Sequence, residues 1–136
     1  YSIGDRQALP SEVRAVIEES EAETKENTGL NLVVAFNYGG QDELVQAAKR
    51  LAEDFKAGKT ELNQQAFEDR FYTAGLPAVD YVIRTSGELR MSNFLPYQAA
   101  YAELCFTQTL WPDFDAEKYV QALREYAGRN RRFGGI

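Results

Sequence analysis

An α/β fold, with a mostly parallel sheet flanked by helices, is the class this sequence predicts. Two compact apolar runs, Leu30-Asn31-Leu32-Val33-Val34-Ala35-Phe36 and Tyr81-Val82-Ile83, are short and rich in β-branched residues, as buried strands are. They alternate with longer segments whose apolar residues recur three and four apart, the spacing of one helix face. Both runs also empty into loops that carry glycine and hydrogen-bonding side chains. If the strands are parallel, both loops lie on one edge of the sheet, outside the carboxyl ends of the strands, where open α/β sheets bind ligands.

The elements follow in order. Tyr1-Ser2-Ile3 reads as the tail of a strand that turns at Gly4-Asp5. Because the chain opens on a strand tail and not on an initiator methionine, further polypeptide is expected upstream of Tyr1. Leu9-Pro10-Ser11-Glu12 resembles a helix start, and Val13, Val16 and Ile17 at helical spacing extend that helix over 10–27. Gly29 is a plausible end signal. Leu30 to Phe36 is expected to be a buried strand. The turn Asn37-Tyr38-Gly39-Gly40 then leads to a helix over 42–56 with a Leu44, Val45, Ala48, Leu51, Ala52, Phe55 face, ended by Gly58. A shorter helix over 63–72 precedes the break Gly75-Leu76-Pro77. The second apolar strand covers 81–84, the polar loop follows, and a helix over 95–103 is expected with Pro96 in its first turn. A short strand over 104–107, a break at Pro112 and a last helix over 116–129 complete the chain.

The whole of 1–136 is expected to form a single domain, since 136 residues is an ordinary domain length. A hydrophobic content of 44% against 26% charged residues fits a globular chain. The net charge of −6 argues against a general nucleic-acid binder, whose phosphate polymer the overall field would repel. It leaves room for a local arginine pocket that takes a small anion. One cysteine, Cys105, excludes an intrachain disulfide and suits a reducing compartment. Histidine is absent, so this sequence offers no histidine-based triad and no histidine-ligated metal. No apolar run is long enough to cross a bilayer.

The chemistry concentrates in the loop after the second strand. Arg84, Thr85, Ser86, Gly87, Glu88, Arg90, Met91 and Ser92 follow one another within nine positions. Two guanidiniums offer planar, permanently charged, bidentate donors; hydroxyls and free backbone N–H groups would fill the remaining oxygen sites of a phosphate or diphosphate. Each residue has an ordinary reading too. Arg84 and Arg90 could be surface arginines paired with Glu88, and Ser92 could cap the next helix. Glu103 could be a solvated helix carboxylate. Tyr97, Tyr101, Phe106, Trp111 and Phe114 fit core or a subunit interface, and Arg129, Arg131 and Arg132 a charged tail.

The run Ile83-Arg84-Thr85-Ser86-Gly87-Glu88-Leu89-Arg90-Met91-Ser92-Asn93-Phe94-Leu95 resembles the signature of the cis-prenyltransferases, the undecaprenyl diphosphate synthase family. Asn37-Tyr38-Gly39-Gly40, Gln98-Ala99-Ala100-Tyr101-Ala102-Glu103, Trp111-Pro112-Asp113-Phe114 and Arg131-Arg132-Phe133-Gly134-Gly135 fit in the family's order. The resemblance implies the C-terminal portion of a cis-prenyltransferase-type domain, which condenses isopentenyl diphosphate with an allylic diphosphate such as farnesyl diphosphate. The product is a long-chain polyprenyl diphosphate, a cell-wall lipid carrier. It implies substrate binding by Arg84, Arg90, Met91 and Ser92, with Glu88 orienting an arginine, and Glu103 as a ligand of Mg2+. It further implies a homodimer, a tail that approaches the diphosphate site, and a cytoplasmic protein with peripheral contact at the inner face of the membrane.

Departures qualify that reading. The family's catalytic aspartate, in an Asp-Gly-Asn-type phosphate loop, has no counterpart here and is expected upstream of Tyr1, so this segment alone is expected to be inactive. Leu89 stands where some members carry histidine, and Gln41 where arginine is common. Two other readings stay open: a non-catalytic partner subunit of a prenyltransferase complex, and a stand-alone anion-binding domain. Retention of Arg84, Arg90 and Ser92 counts against the partner subunit.

Overall fold

The computed structural model describes residues 1–130, so the Arg131-to-Gly135 motif and the tail reading that rests on it lie outside the described residues. The chain divides into two compact units, Tyr1–Leu76 and a second that begins at Pro77. Both are α/β, and both strand pairs are parallel.

In the first unit β1 (Ser2–Ile3) pairs with β2 (Val34–Ala35) in the register Ser2↔Val34 and Ile3↔Ala35. Backbone bonds from Val34 N–H to the Tyr1 carbonyl (3.0 Å) and from Phe36 N–H to that of Ile3 (2.9 Å) hold the pair. The expected strand over 30–36 therefore forms only at its end. Leu30 is 93% and Leu32 67% exposed, because two-residue β1 offers no partner that far upstream. Helix α1 (Ser11–Thr24) buries Ile17, while Val13 and Val16 lie exposed instead of facing a core.

Helix α2 (Gly40–Lys56) starts two residues earlier than expected, with Asp42 and Glu43 in its first turn where the helix dipole favours acids. It ends at Gly58, which adopts the left-handed φ of 70°. Its covered face is not the expected apolar one. Glu43 is fully buried, and Ala47 lies one turn along, whereas Val45 and Phe55 are each 51% exposed. Glu43 accepts from the Tyr38 hydroxyl (2.5 Å) and the Tyr72 backbone N–H (2.7 Å), so the turn 37–40 and the segment after α3 (Gln64–Glu68) are tied to α2 through one carboxylate. Asp54, further along α2, pairs with Arg70 at 2.6 Å. Where the apolar stripe predicted packing, a polar seam does the joining.

In the second unit β3 (Tyr81–Arg84) pairs with β4 (Glu103–Phe106) in the register Tyr81↔Glu103 through Arg84↔Phe106. Helix α4 (Ala116–Ala127) is N-capped by Asp115, which accepts from Lys118 N–H at 3.0 Å. It covers one face of the pair: Ala122 is buried, the Tyr126 ring lies 4.8 Å from that of Tyr81, and the Glu125 carboxylate is 4.0 Å from the buried Cys105 sulfur. Leu104 and Phe106 alternate to the other face and are about one-third exposed.

The helix expected over 95–103 is replaced by a run of turns. Ser92 (φ 49°), Asn93 (φ 64°) and Leu95 (φ 48°) adopt left-handed backbone, which interrupts any right-handed helix started there. Only isolated bonds survive, such as Ala99 N–H to the Leu95 carbonyl (2.9 Å) and Ala102 N–H to that of Ala99 (3.0 Å). Two expectations change with it. Ser92 does not cap a helix, and Glu103 is the first residue of a strand.

Candidate diphosphate site at the end of the second strand

Parallel pairing fixes the polarity of the second unit: the loops after β3 and β4 leave from the same edge. Arg84 is the last residue of β3, and a cavity of about 390 Å3 opens beside it, lined by Val82, Ile83, Arg84, Thr85, Ser86, Met91 and Phe94. The polar and larger lining residues thus carry one guanidinium, two hydroxyls, a thioether and a ring. The Arg84 side chain has no ion-pair or hydrogen-bond partner among the described residues and is half-buried. A cation so placed is a ready acceptor site for an anion, since any oxyanion it meets competes only with water.

The remaining predicted residues are arranged differently. Arg90 is bound by Glu88 in an ion pair, with Arg90 67% and Glu88 37% exposed, as the ordinary reading of that pair anticipated. Ser92 is exposed, and neither it nor Arg90 lines the cavity. Backbone donors expected to be free are engaged. Ser86 N–H donates to the Thr109 carbonyl and Gly87 N–H to that of Thr107, both at 2.8 Å.

Glu103 stands apart from the cavity. It pairs across the sheet with Tyr81, three residues before Arg84, which puts it about 10 Å along the strands from the Arg84–Phe106 row at ~3.3 Å per residue. Its carboxylate accepts from Arg129 at 2.9 Å. Arg129 also donates to Glu125 (2.5 Å) and to the Leu104 carbonyl (2.8 Å) and lies over the Tyr81 ring. Glu125 first and Glu103 second hold the Arg129 guanidinium even more firmly protonated than usual. Burial, and then the neighbouring Cys105 thiol, push the Tyr81 hydroxyl well above the ordinary tyrosine value.

The first unit has a cavity of its own, about 510 Å3, lined by Asp5, Arg6, Asp42, Gln46, Arg50 and Tyr72 among others. Burial raises the Tyr72 hydroxyl, partly offset by Arg50, whose guanidinium sits 5.6 Å above the ring. Asn37-Tyr38-Gly39-Gly40 serves there as a strand-to-helix turn, with Gly39 as the N-cap of α2. Among the described residues no group of three or more acidic or cysteine side chains could hold a metal ion, and no helix is long and apolar enough to cross a membrane.

Sequence reasoning did not single out Phe94 as a lining residue, nor the Thr107-to-Thr109 segment that binds the loop backbone. Thr85, the first residue past the strand, was read as part of the polar loop, and it lines the cavity. Thr107-to-Thr109 carried no signal, because its carbonyls reach a loop some twenty residues earlier in the chain, and no local pattern marks that pairing.

Comparison with known proteins adds a second line of evidence. A family model described as "Putative undecaprenyl diphosphate synthase" matches residues 1–134. Isoprenyl transferases of Zymomonas mobilis and Agrobacterium fabrum are 50% and 45% identical to the chain over 137 residues, covering 98% of it and 55% and 56% of the relatives. The chain therefore spans about half the length of these curated relatives. Among solved structures, lavandulyl diphosphate synthase from Lavandula x intermedia, in complex with dimethylallyl diphosphate, is 33% identical with a TM-score of 0.94, over 98% of this chain and 59% of that one. A probable undecaprenyl diphosphate synthase from Campylobacter jejuni is 34% identical with a TM-score of 0.85, over 99% and 62%.

Proposed function

Since this chain belongs to the undecaprenyl diphosphate synthase family, we propose that it supplies the isopentenyl diphosphate half of a cis-prenyltransferase site. The proposed reaction joins isopentenyl diphosphate to an allylic diphosphate, such as farnesyl diphosphate, to build a long-chain polyprenyl diphosphate lipid carrier. The single observation that carries the reading is the cavity at the end of β3, lined by Thr85, Ser86 and an Arg84 that has no partner among the described residues.

Arg84 binds the diphosphate bidentately, and the Thr85 and Ser86 hydroxyls take oxygens the guanidinium leaves. Met91 and Phe94 border the apolar part of the substrate. Arg90 and Ser92 complete the anion's shell once Arg90 exchanges its Glu88 partner for a diphosphate oxygen; until then Glu88 keeps the guanidinium in the loop. Each guanidinium disperses charge that a diphosphate otherwise concentrates.

Mg2+ is the cofactor this reading brings with it. The described residues do not by themselves fit such a site: no cluster of three acidic side chains exists among them, and Glu103, the proposed ligand, is held by Arg129. A small hard cation surrounds itself with oxygen ligands, so one engaged carboxylate is far from a full shell. The catalytic aspartate is proposed to lie outside this sequence, and the segment alone is proposed to bind without turning over. A homodimer, and a cytoplasmic setting with peripheral contact at the inner membrane face, belong to the same proposal.

Titration calorimetry of the 136-residue chain with isopentenyl diphosphate tests it. Binding is expected, weakened at least about tenfold by Arg84→Ala, the loss of a charge-assisted bidentate pair. Unchanged binding in Arg84→Ala would remove the assignment.

A further inference from the structure

We infer that Thr107 is a positioning residue for the anion loop: its hydroxyl shapes the segment after β4 into a strap that sets Ser86 and Gly87, and so holds the wall of the Arg84 cavity in place. The inference rests on the diphosphate reading for its function, though the strap itself stands on hydrogen bonds.

Ser86 and Gly87 are consecutive residues in the left-handed region, at φ 70° and 69°. Glycine adopts that backbone freely; serine does so at a cost and needs outside restraint. The restraint comes from the neighbouring segment. Ser86 N–H donates to the Thr109 carbonyl and Gly87 N–H to the Thr107 carbonyl, both at 2.8 Å, while Thr107 N–H returns a bond to the Arg84 carbonyl at 2.9 Å. These three bonds bracket the loop on both sides of Thr85. The Gln108 side-chain amide lies where a Cβ on residue 87 would stand, and the left-handed φ of 69° there itself favours glycine.

The Thr109 carbonyl can reach Ser86 only because the chain bends back between 107 and 109. One side chain makes that bend. The Thr107 hydroxyl accepts from Thr109 N–H at 3.2 Å and donates to the Thr109 hydroxyl at 3.2 Å. A hydroxyl is needed for both bonds, and serine or threonine forms such local turns where valine does not. Thr107 lines no part of the cavity, so it touches the anion only through what it holds.

The test uses the 136-residue chain, inorganic diphosphate as probe, and two readouts: binding by calorimetry, and hydrogen exchange of the Ser86 and Gly87 amides by NMR. Thr107→Val, equal in shape but without the hydroxyl, is expected to weaken diphosphate binding about fivefold, the scale of one lost hydrogen bond. The same variant is expected to speed exchange at both amides about tenfold, and Thr107→Ser is expected to restore both. Thr107→Ala replaces Thr107→Val should that variant fail to fold. Wild-type binding and exchange in Thr107→Val would overturn the inference, as would a loss that Thr107→Ser does not rescue. If the wild-type chain bound no diphosphate, the functional reading would fall on its own. The amide exchange would then decide the strap, with faster, serine-rescued exchange supporting it and unchanged exchange ending it.

Discussion

Two arginines six positions apart occupy opposite electrostatic situations, and that difference is testable. Arg84 is half-buried and has no partner among the described residues, while Arg90 is held by Glu88 near the surface. An exposed pair contributes little to stability, so Glu88→Gln should leave the fold unchanged. It should tighten diphosphate binding about twofold to threefold by freeing Arg90 and removing a like charge, an effect that added salt diminishes; calorimetry at two ionic strengths checks it. Glu21 gives a prediction about acid. Burial disfavours its charged form, but bonds from Arg6 (2.6 and 2.9 Å) and from Ser2 N–H (2.6 Å) outweigh that and hold its carboxyl below the ordinary value of 4.5. A depressed carboxyl stabilises the fold above its unfolded value, and that contribution is lost as pH falls below about 4.5 through the lower folded one. Glu21→Gln should therefore unfold at lower urea concentration than the parent at pH 7, with the gap narrowing toward pH 3. At this scale the sequence was informative about chemistry and less so about partners. The guanidinium and hydroxyls at the end of β3 could be read directly, because residue type and strand end suffice for that. The engagement of Glu103 by Arg129, twenty-six residues away, depends on where α4 docks, and no local pattern announces it.

Among the elements, short strands depend on single residues. Gly4 leaves β1 at φ 111°, and a Cβ there would collide with the backbone carbonyl of Phe36. Because backbone cannot step aside as a side chain can, Gly4→Ala should cost at least about 2 kcal/mol, read from the urea midpoint. Helix α3 starts on Asn63, whose side chain accepts from Ala66 N–H at 2.8 Å; Asn63→Ala should cost about 1 kcal/mol, the usual worth of such a cap. Helices α1, α2 and α4 and the strand 81–84 were legible in the sequence to within a few residues, since periodicity, Pro10, Gly58 and the break at Pro112 mark them. The helix expected over 95–103 was not there. Its Ala, Gln and Glu content favours helix, but three left-handed residues between 92 and 95 prevent propagation, and single-residue propensities do not report that. The strand over 30–36 failed for another reason: a strand is as long as its partner, and apolar content cannot say where the partner stops.

On the scale of the whole chain, apolar surface is left over. Helix α2 turns a carboxylate inward and Val45 and Phe55 outward, and Leu30, Leu32 and Val34 lie open beside β2. The chain covers only about half of its relatives' length. In isolation it should bind a hydrophobic dye and self-associate with rising concentration, and a Val45→Lys, Phe55→Lys double variant should do so less, by sedimentation velocity. Equal association of variant and parent would show that the stripe is not responsible. The sequence displayed that stripe plainly and still misled about its direction, because periodicity tells which residues share a face but not which face is covered. The inward Glu43 has a further consequence for the life of the polypeptide in a cell. Chaperones and proteases recognise outward apolar stripes as a sign of unfinished assembly, so the half-life of this chain should be set by how soon α2 is covered, and only secondarily by how well its own sheet and helices hold together.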